Sequence, residues 1–330
     1  MRTGFSQAGL AAATALALLA LSAARVSAEP AGLEYDEITW VSADPASHLP
    51  GSFQGDLAAI KVALLNGELG SADSRKRVAE IFKEASDPAR RLEMSALGRI
   101  PGVGVLAVLI ASNAQQVKLR SELRGPVEAQ VAALRLEQQL GKWYHVTYLN
   151  GWTRREDVSN QTVLIVKPDQ DTRIYLDLAL QTYYTATANA PGSSASSRAM
   201  LCSPSTTVNR GAQVLDGVPT DIFETTFDAN GTSAVITRYE SPFTEPPKRD
   251  AAGNLIPFDC PGAPTHTGPA MPIDRVALYQ TVFVRSGSNS VTTVNEDGNI
   301  KRTDPEPALF EVPPGFAKKS PFDVIRHPGP

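Results

Sequence analysis

The chain has 330 residues, of which 42% are hydrophobic and 20% charged, and its net charge is −4 at neutral pH. This composition excludes a disordered chain and leaves room for one large or two ordinary cores. The mildly acidic balance argues against binding nucleic acid or an anionic membrane surface through charge.

The first 28 residues join a basic start, Met1-Arg2, to an Ala- and Leu-rich run from Leu10 to Leu21 and to small residues at Val26-Ser27-Ala28. That order predicts an export signal cut after Ala28, and so a periplasmic or secreted product. The apolar run falls short of the ~20 residues needed to cross a bilayer, and no other stretch approaches that length, so an integral membrane protein is not expected. Cleavage removes Arg2 and Arg25 and no acid, which leaves the product more acidic than the whole chain.

Residues 29–142 read as a first strand followed by a helical section. Leu33 to Ser42 suits a strand, although its alternation is imperfect. Asp56 can cap a helix over Leu57 to Leu65 that Gly67 stops, and Ser71 can cap a second with Val78, Ile81 and Phe82 on one face. Asp87-Pro88 starts a third, and Gly125-Pro126 opens the last, with Val127, Val131 and Leu134 on one stripe. Between them, Ile100 to Ala111 is apolar on every side. It reads either as a buried helix or strand, or as a lid over a ligand cavity presenting Val103, Val105, Leu106, Leu109 and Ile110.

From Trp143 strands follow one another. Trp143 to Leu149 is aromatic and β-branched, and Gln161 to Lys167 is apolar on both faces. Pro168 to Asp171 supplies a turn, after which Arg173, Tyr175 and Asp177 alternate with Ile174, Leu176 and Leu178, and the extended pattern runs on to Tyr184. A Ser-, Ala- and Pro-rich loop, Ala186 to Pro204, precedes Val208 to Val214 and the turn Asp216-Gly217. Thr220 to Phe227 and Ser233 to Ser241 flank a hairpin turn at Asp228 to Thr232. Asp274 to Arg285, Ser290 to Asn295, a turn at Asp297-Gly298 and Ile300 to Arg302 complete the set. Short connections imply a mainly antiparallel sheet over residues 143–318, with 319–330 as a tail. The expected class is α+β, a curved sheet whose apolar face needs cover from helices, a second sheet or a ligand. The helices come in one block before it.

No catalytic signature emerges. A Gly-x-Ser-x-Gly elbow is absent, and the four histidines are scattered without metal-ligand spacing, so neither a metal nor a cofactor is expected. Asp169-Gln170-Asp171 is a turn, since a calcium loop would need glycine where Ile174 stands. His145, with Glu156 and Asp157 nearby in the chain, has the chemistry of a general acid or base, but a lone strand histidine reads as hydrogen-bonded structure. Cys202 and Cys260 are the only cysteines, and in an exported chain they read as a bridge, with two free thiols the other reading. The aromatic set Tyr144, Tyr148, Trp152, Tyr175, Tyr183, Tyr184, Tyr239 and Phe283 reads as cross-strand packing or as the lining of a hollow.

Several phrases share an order with a known group: Ile165-Val166-Lys167-Pro168-Asp169 to Tyr175-Leu176-Asp177, Gln181 to Tyr184, Gly211 to Val214 leading into Leu215 to Thr220, Ile236 to Tyr239, and the closing Asp304 to Phe316. Over about residues 143–318 the chain resembles the half-barrel superfamily of periplasmic lipoprotein carriers, and more closely its exported, largely uncharacterised relatives. The resemblance implies an incomplete barrel wrapped around helices, with an apolar hollow that holds acyl chains or an apolar partner segment without catalysis. Two departures stand out: the helical block Asp56 to Leu140 is long, and Pro242 to Pro272 looks inserted. The expectation is a non-enzymatic carrier of an apolar ligand, a lipid or acylated protein, lined by Val163, Ile165, Ile174, Leu176, Ile236, Leu278 and Val282. The alternative is a structural or sensory module with a filled core that binds an envelope protein.

Overall fold

The computed structural model describes residues 32–42, 50–70, 72–85, 104–187, 204–229, 231–244, 266–269 and 275–320, and within the long third helix its side chains from Val117 onward. The signal segment, the helix expected at Asp87-Pro88, Val103, Cys202 and Cys260 lie outside the described residues.

Thirteen strands make one curved, unclosed sheet. In chain order they are β1 (Gly32–Ser42), β2 (Lys142–Leu149), β3 (Trp152–Asp157), β4 (Thr162–Lys167), β5 (Thr172–Asp177), β6 (Thr182–Thr187), β7 (Ser205–Leu215), β8 (Val218–Ala229), β9 (Thr232–Thr244), β10 (His266–Thr267), β11 (Arg275–Ser286), β12 (Asn289–Thr303) and β13 (Ala317–Lys318). Across the sheet the order is β10-β7-β8-β9-β11-β12-β1-β2-β3-β4-β5-β6-β13. Every pairing is antiparallel except those of the two-residue end strands β10 and β13.

The first strand of the chain therefore lies at the middle of the sheet, between β12 and β2. Its imperfect alternation has a physical cause. Leu33 and Tyr35 are buried on one face with Val146 and Tyr148, while Ile38 and Trp40 are buried on the other against the helices. A strand covered on different faces at its two ends cannot read as a single wet-and-dry stripe.

Four local expectations are corrected. Asp297-Gly298 is not a hairpin turn, because β12 runs through it and the β11–β12 turn falls at Gly287-Ser288. The pair is in register with Glu37 and Asp36, and a bulge follows it, where Asn299 and Ile300 oppose the single residue Tyr35 and Asn299 adopts φ 56°. The extended pattern from Leu178 to Tyr184 is also broken. Asp177 accepts the backbone N–H of Leu180 at 2.9 Å, and Gln181 takes φ 52°, making the turn between β5 and β6. Asp157, Asn160 and Gln161 repeat that turn between β3 and β4, with the same 2.9 Å bond and φ 53°.

The strand β3 carries no apolar alternation to announce it. Its charges are paired within the sheet: Arg154 with Glu156 at 2.6 Å, and Arg155 with Glu37 at 2.5 Å, the Arg155 guanidinium lying 3.5 Å over the Tyr144 ring.

Three helices are described: α1 (Phe53–Leu65), α2 (Ala72–Ala85) and α3 (Gly104–Leu140). The first starts ahead of its expected cap. Ser52 takes the N-cap position, and Asp56 lies in the first turn, where a carboxylate suits the positive end of the helix and accepts the Ser52 hydroxyl at 2.5 Å. The fourth correction falls in α3, where Gly125-Pro126 lies inside the helix. The clash that normally bars a helical residue before proline involves its Cβ, which Gly125 lacks. From Gly104 to Ala111 the apolar run forms the beginning of α3.

On one face, Phe53, Leu57, Ile60 and Ala63 of α1 pack with Ile38, Trp40, Leu278, Tyr279 and Val294, joined by Leu136 and Leu140 of α3. Among the described residues no helix is long and apolar enough to cross a membrane.

Candidate functional site

The site grows from β4 and β5. Their register sets Val163 opposite Leu176 and Ile165 opposite Ile174 on the helix-bearing face, and all four are buried. Leu149 extends this floor, and Trp152 and Tyr183 pack at its margins. Above it, the 3₁₀ turn Pro307–Phe310 lowers Phe310 onto this floor, fully buried, with Val312 and Phe316 alongside. The Phe310 and Trp152 rings meet at 5.9 Å between centroids.

The rim is charged. Lys167 follows Val163 and Ile165 on the same face and is only 2% exposed. Its ammonium pairs with the Glu311 carboxylate and lies 4.4 Å from the centre of the Trp152 ring. The Trp152 indole N–H in turn donates to Asp169 at 2.6 Å. Past the turn, the N–H groups of Ala317 and Lys319 donate to the carbonyls of Gln181 and Tyr183 at 2.9 and 2.7 Å, adding β13 to the edge of β6.

The other expected lining residues lie elsewhere. Leu278 sits at the irregularity between Ala277 and Tyr279 and packs in the α1 cluster. Ile236 and Val282 face each other across β9 and β11, and the register carries them to the opposite face of the sheet, into a cluster with Phe227 and Ala234. Val105, Leu106, Leu109 and Ile110 fall in the first turns of α3. Tyr175 and Tyr184 stack at 4.4 Å and Tyr35 stacks on Tyr148 at 6.0 Å, in each case across adjacent strands.

Between the two covered regions of the helix-bearing face runs a polar row. Asp36, His145 and Glu156 lie directly opposite one another across β1, β2 and β3. The Asp36 carboxylate meets His145 Nδ1 at 3.1 Å and accepts N–H bonds from Trp143 at 3.1 Å and Asn299 at 2.8 Å. Burial works to raise its pKa, but these bonds outweigh it and hold the carboxyl below the ordinary value. His145 is held above its ordinary value by the bond to Asp36, against the opposing effect of burial. The dyad has the polarity of an acid–base pair, yet its bonds run within the sheet and tie β1 to β2 and to the bulge in β12.

Two further buried carboxylates escaped the sequence. Glu296, 1% exposed on β12, accepts the Gly51 N–H at 3.0 Å and lies 3.1 Å from the Ser52 hydroxyl oxygen, so it anchors the start of α1. Burial pushes its pKa up to about 7, with nearby Asp56 adding to the shift. Glu137 of α3 accepts the Asn160 amide at 2.9 Å and pairs with Lys142 at 3.4 Å, and burial raises its pKa too. Nothing in the chain marks these two except their place on a face that folding covers. Lys167 and Phe310 do stand in recognisable phrases, but the phrases do not say that they meet.

The chain matches no known protein family and no curated protein. At the far end of the sheet a shallow pocket of about 330 Å³ is lined by Pro204, Ser205, Thr206, Thr226, Asp228 and Thr267.

Proposed function

We propose that this chain is an exported, non-catalytic binding protein of the half-barrel type, related to the periplasmic lipoprotein carriers, and that its ligand is a lipid or the acylated part of a protein. The observation that carries this reading is the apolar floor of Val163, Ile165, Ile174 and Leu176 on an unclosed sheet, roofed by a short turn of the chain's own C-terminal part. Such a floor holds an alkyl chain without any polar motif, at ~25 cal/mol per Å² of apolar surface buried. In this reading α1, α2 and α3 form the helical cover and the apolar start of α3 is its lid. A Cys202–Cys260 bridge belongs to the same exported setting.

A second reading draws on how both covered regions of this face are filled by the chain's own side chains. Phe53, Leu57, Ile60 and Phe310 are all buried. A filled core suits a structural or sensory module that binds an envelope protein through its sheet.

Native mass spectrometry of the mature protein from its own compartment, followed by organic extraction, separates the two. A co-purifying lipid or acyl species is the expected result. A clean apo mass that gains nothing on incubation with phospholipid vesicles overturns the carrier reading in favour of the partner-binding module.

A further inference from the structure

We propose that the C-terminal segment around Phe310 and Glu311 is a displaceable internal occupant of the hollow, and that the site it fills recognises a long-chain carboxylate, with Lys167 receiving the head group. This rests on the reading that the hollow takes an apolar ligand; it adds which ligand and what gates it.

The argument begins with Lys167. An ammonium buried at the end of an apolar strand is tolerated only with a counter-charge. The cation is fixed in the sheet on β4, while its anion is carried by a strap: the Glu311 side chain is 60% exposed, against 3% for Lys167. Side by side, Phe310 and Glu311 present an apolar body and a carboxylate to a floor of Val163, Ile165, Ile174 and Leu176 and a cation at its rim. That is the chemistry of a fatty acid, reproduced by two consecutive residues.

The strap is lightly held. From Glu306 to Ser320, Phe310 is the only buried residue. Pro305 packs against Gly32 at one end and β13 pairs with β6 at the other, so the middle can lift while both ends stay in place. A ligand that enters must compete with the strap, and its apparent affinity is reduced by the fraction of molecules in which the strap is open.

The test uses the full mature chain, oleate and oleyl alcohol as probes, and Trp152 fluorescence with calorimetry as readouts. Glu311→Gln leaves Phe310 and the fold in place and is expected to tighten oleate binding several-fold. Phe310→Ala is expected to tighten it by roughly ten- to a hundredfold, the amount by which the closed strap masks the site. In the Glu311→Gln background, Lys167→Met is expected to erase the preference for oleate over oleyl alcohol. The strap is overturned if wild type and both strap variants, folded by circular dichroism, bind oleate equally well. The head-group role is overturned if Glu311→Gln binds acid and alcohol alike. If no variant takes up either probe, the apolar-ligand reading itself falls, and the strap with it.

Discussion

The ring of Phe53 at the start of α1 rests on the bare α-carbon of Gly298 in β12, so closely that a β-carbon there would come within 2.3 Å of two ring atoms. Helix and sheet touch at this point because glycine leaves the space. Gly298→Ala forces the ring aside and is expected to destabilise the fold by about 1–3 kcal/mol, the usual cost of overpacking. Denaturant unfolding should show a lower midpoint with an unchanged slope. In a double-mutant cycle with Phe53→Leu much of the loss should vanish, and additive losses would show that the two residues are not coupled.

The same glycine shows what the sequence could and could not convey. Asp297-Gly298 has turn chemistry, and local reading takes it for a turn, yet glycine is needed here for close approach by a helix more than two hundred residues earlier in the chain. Strand β5, with its clean apolar stripe, was legible, as were β4, apolar on both faces, and the type I′-like Asp216-Gly217 turn between β7 and β8, both of whose residues have positive φ. Strand β3 was not, because its charges find partners only once β1 and β2 lie beside it. Four of the seven expected lining residues fall together on one face for the same reason. Val163, Ile165, Ile174 and Leu176 share one local pattern, whereas the face on which Ile236 and Val282 lie depends on register through four strands.

Glu296 predicts an acid-stabilised joint between β12 and α1. Its pKa is raised from 4.5 to about 7 in the folded protein, so the folded state holds more protons than the unfolded one across that interval. Stability therefore falls as pH rises from about 4.5 to 7, by on the order of 3 kcal/mol if this group acts alone. Glu296→Gln keeps an oxygen for the Gly51 N–H and lets an amide donate to Ser52, whose own hydrogen then serves Asp56. The variant should be more stable than wild type at pH 7 and nearly equal to it at pH 4.5. Parallel pH–stability curves for the two proteins would remove Glu296 as the cause.

The two members of the Asp36–His145 pair predict slopes of opposite sign to each other. The contribution of Asp36, whose pKa is lowered, is present above its unfolded value of 3.8 and is lost as pH falls through the folded value. That of His145, whose pKa is raised, is full below its unfolded value of 6.5 and is lost as pH rises through the folded value. The pair is strongest between these limits. An NMR titration should place His145 above 6.5, and Asp36→Asn should move it down; a His145 value unmoved by that change would mean that the 3.1 Å contact does not control the ring.

Asn160 predicts how the helices are fastened to the sheet. It occupies the turn between β3 and β4, is 7% exposed, and its amide donates to Glu137 of α3 and to Asp157, each at 2.9 Å. Its carbonyl accepts the guanidinium of Arg75 from α2, which also pairs with Asp177 in the equivalent turn between β5 and β6, at 3.4 Å. One side chain and one carbonyl thus join both helices to both turns. Asn160→Ala strips a donor from two buried or part-buried carboxylates and is expected to cost about 1–3 kcal/mol, most of it from leaving Glu137 short of a partner. Because the bonds run from α2 and α3 to the turns, the loss should be local. Hydrogen exchange in the last turns of α3 should quicken, while α2, still held by Arg75 on the backbone carbonyl that the substitution keeps, and the amides of β1, β11 and β12 retain their wild-type protection. Uniform acceleration over the whole sheet would show that these helices are not an independently fastened unit, and with that the proposed helical cover would lose its main mechanical support.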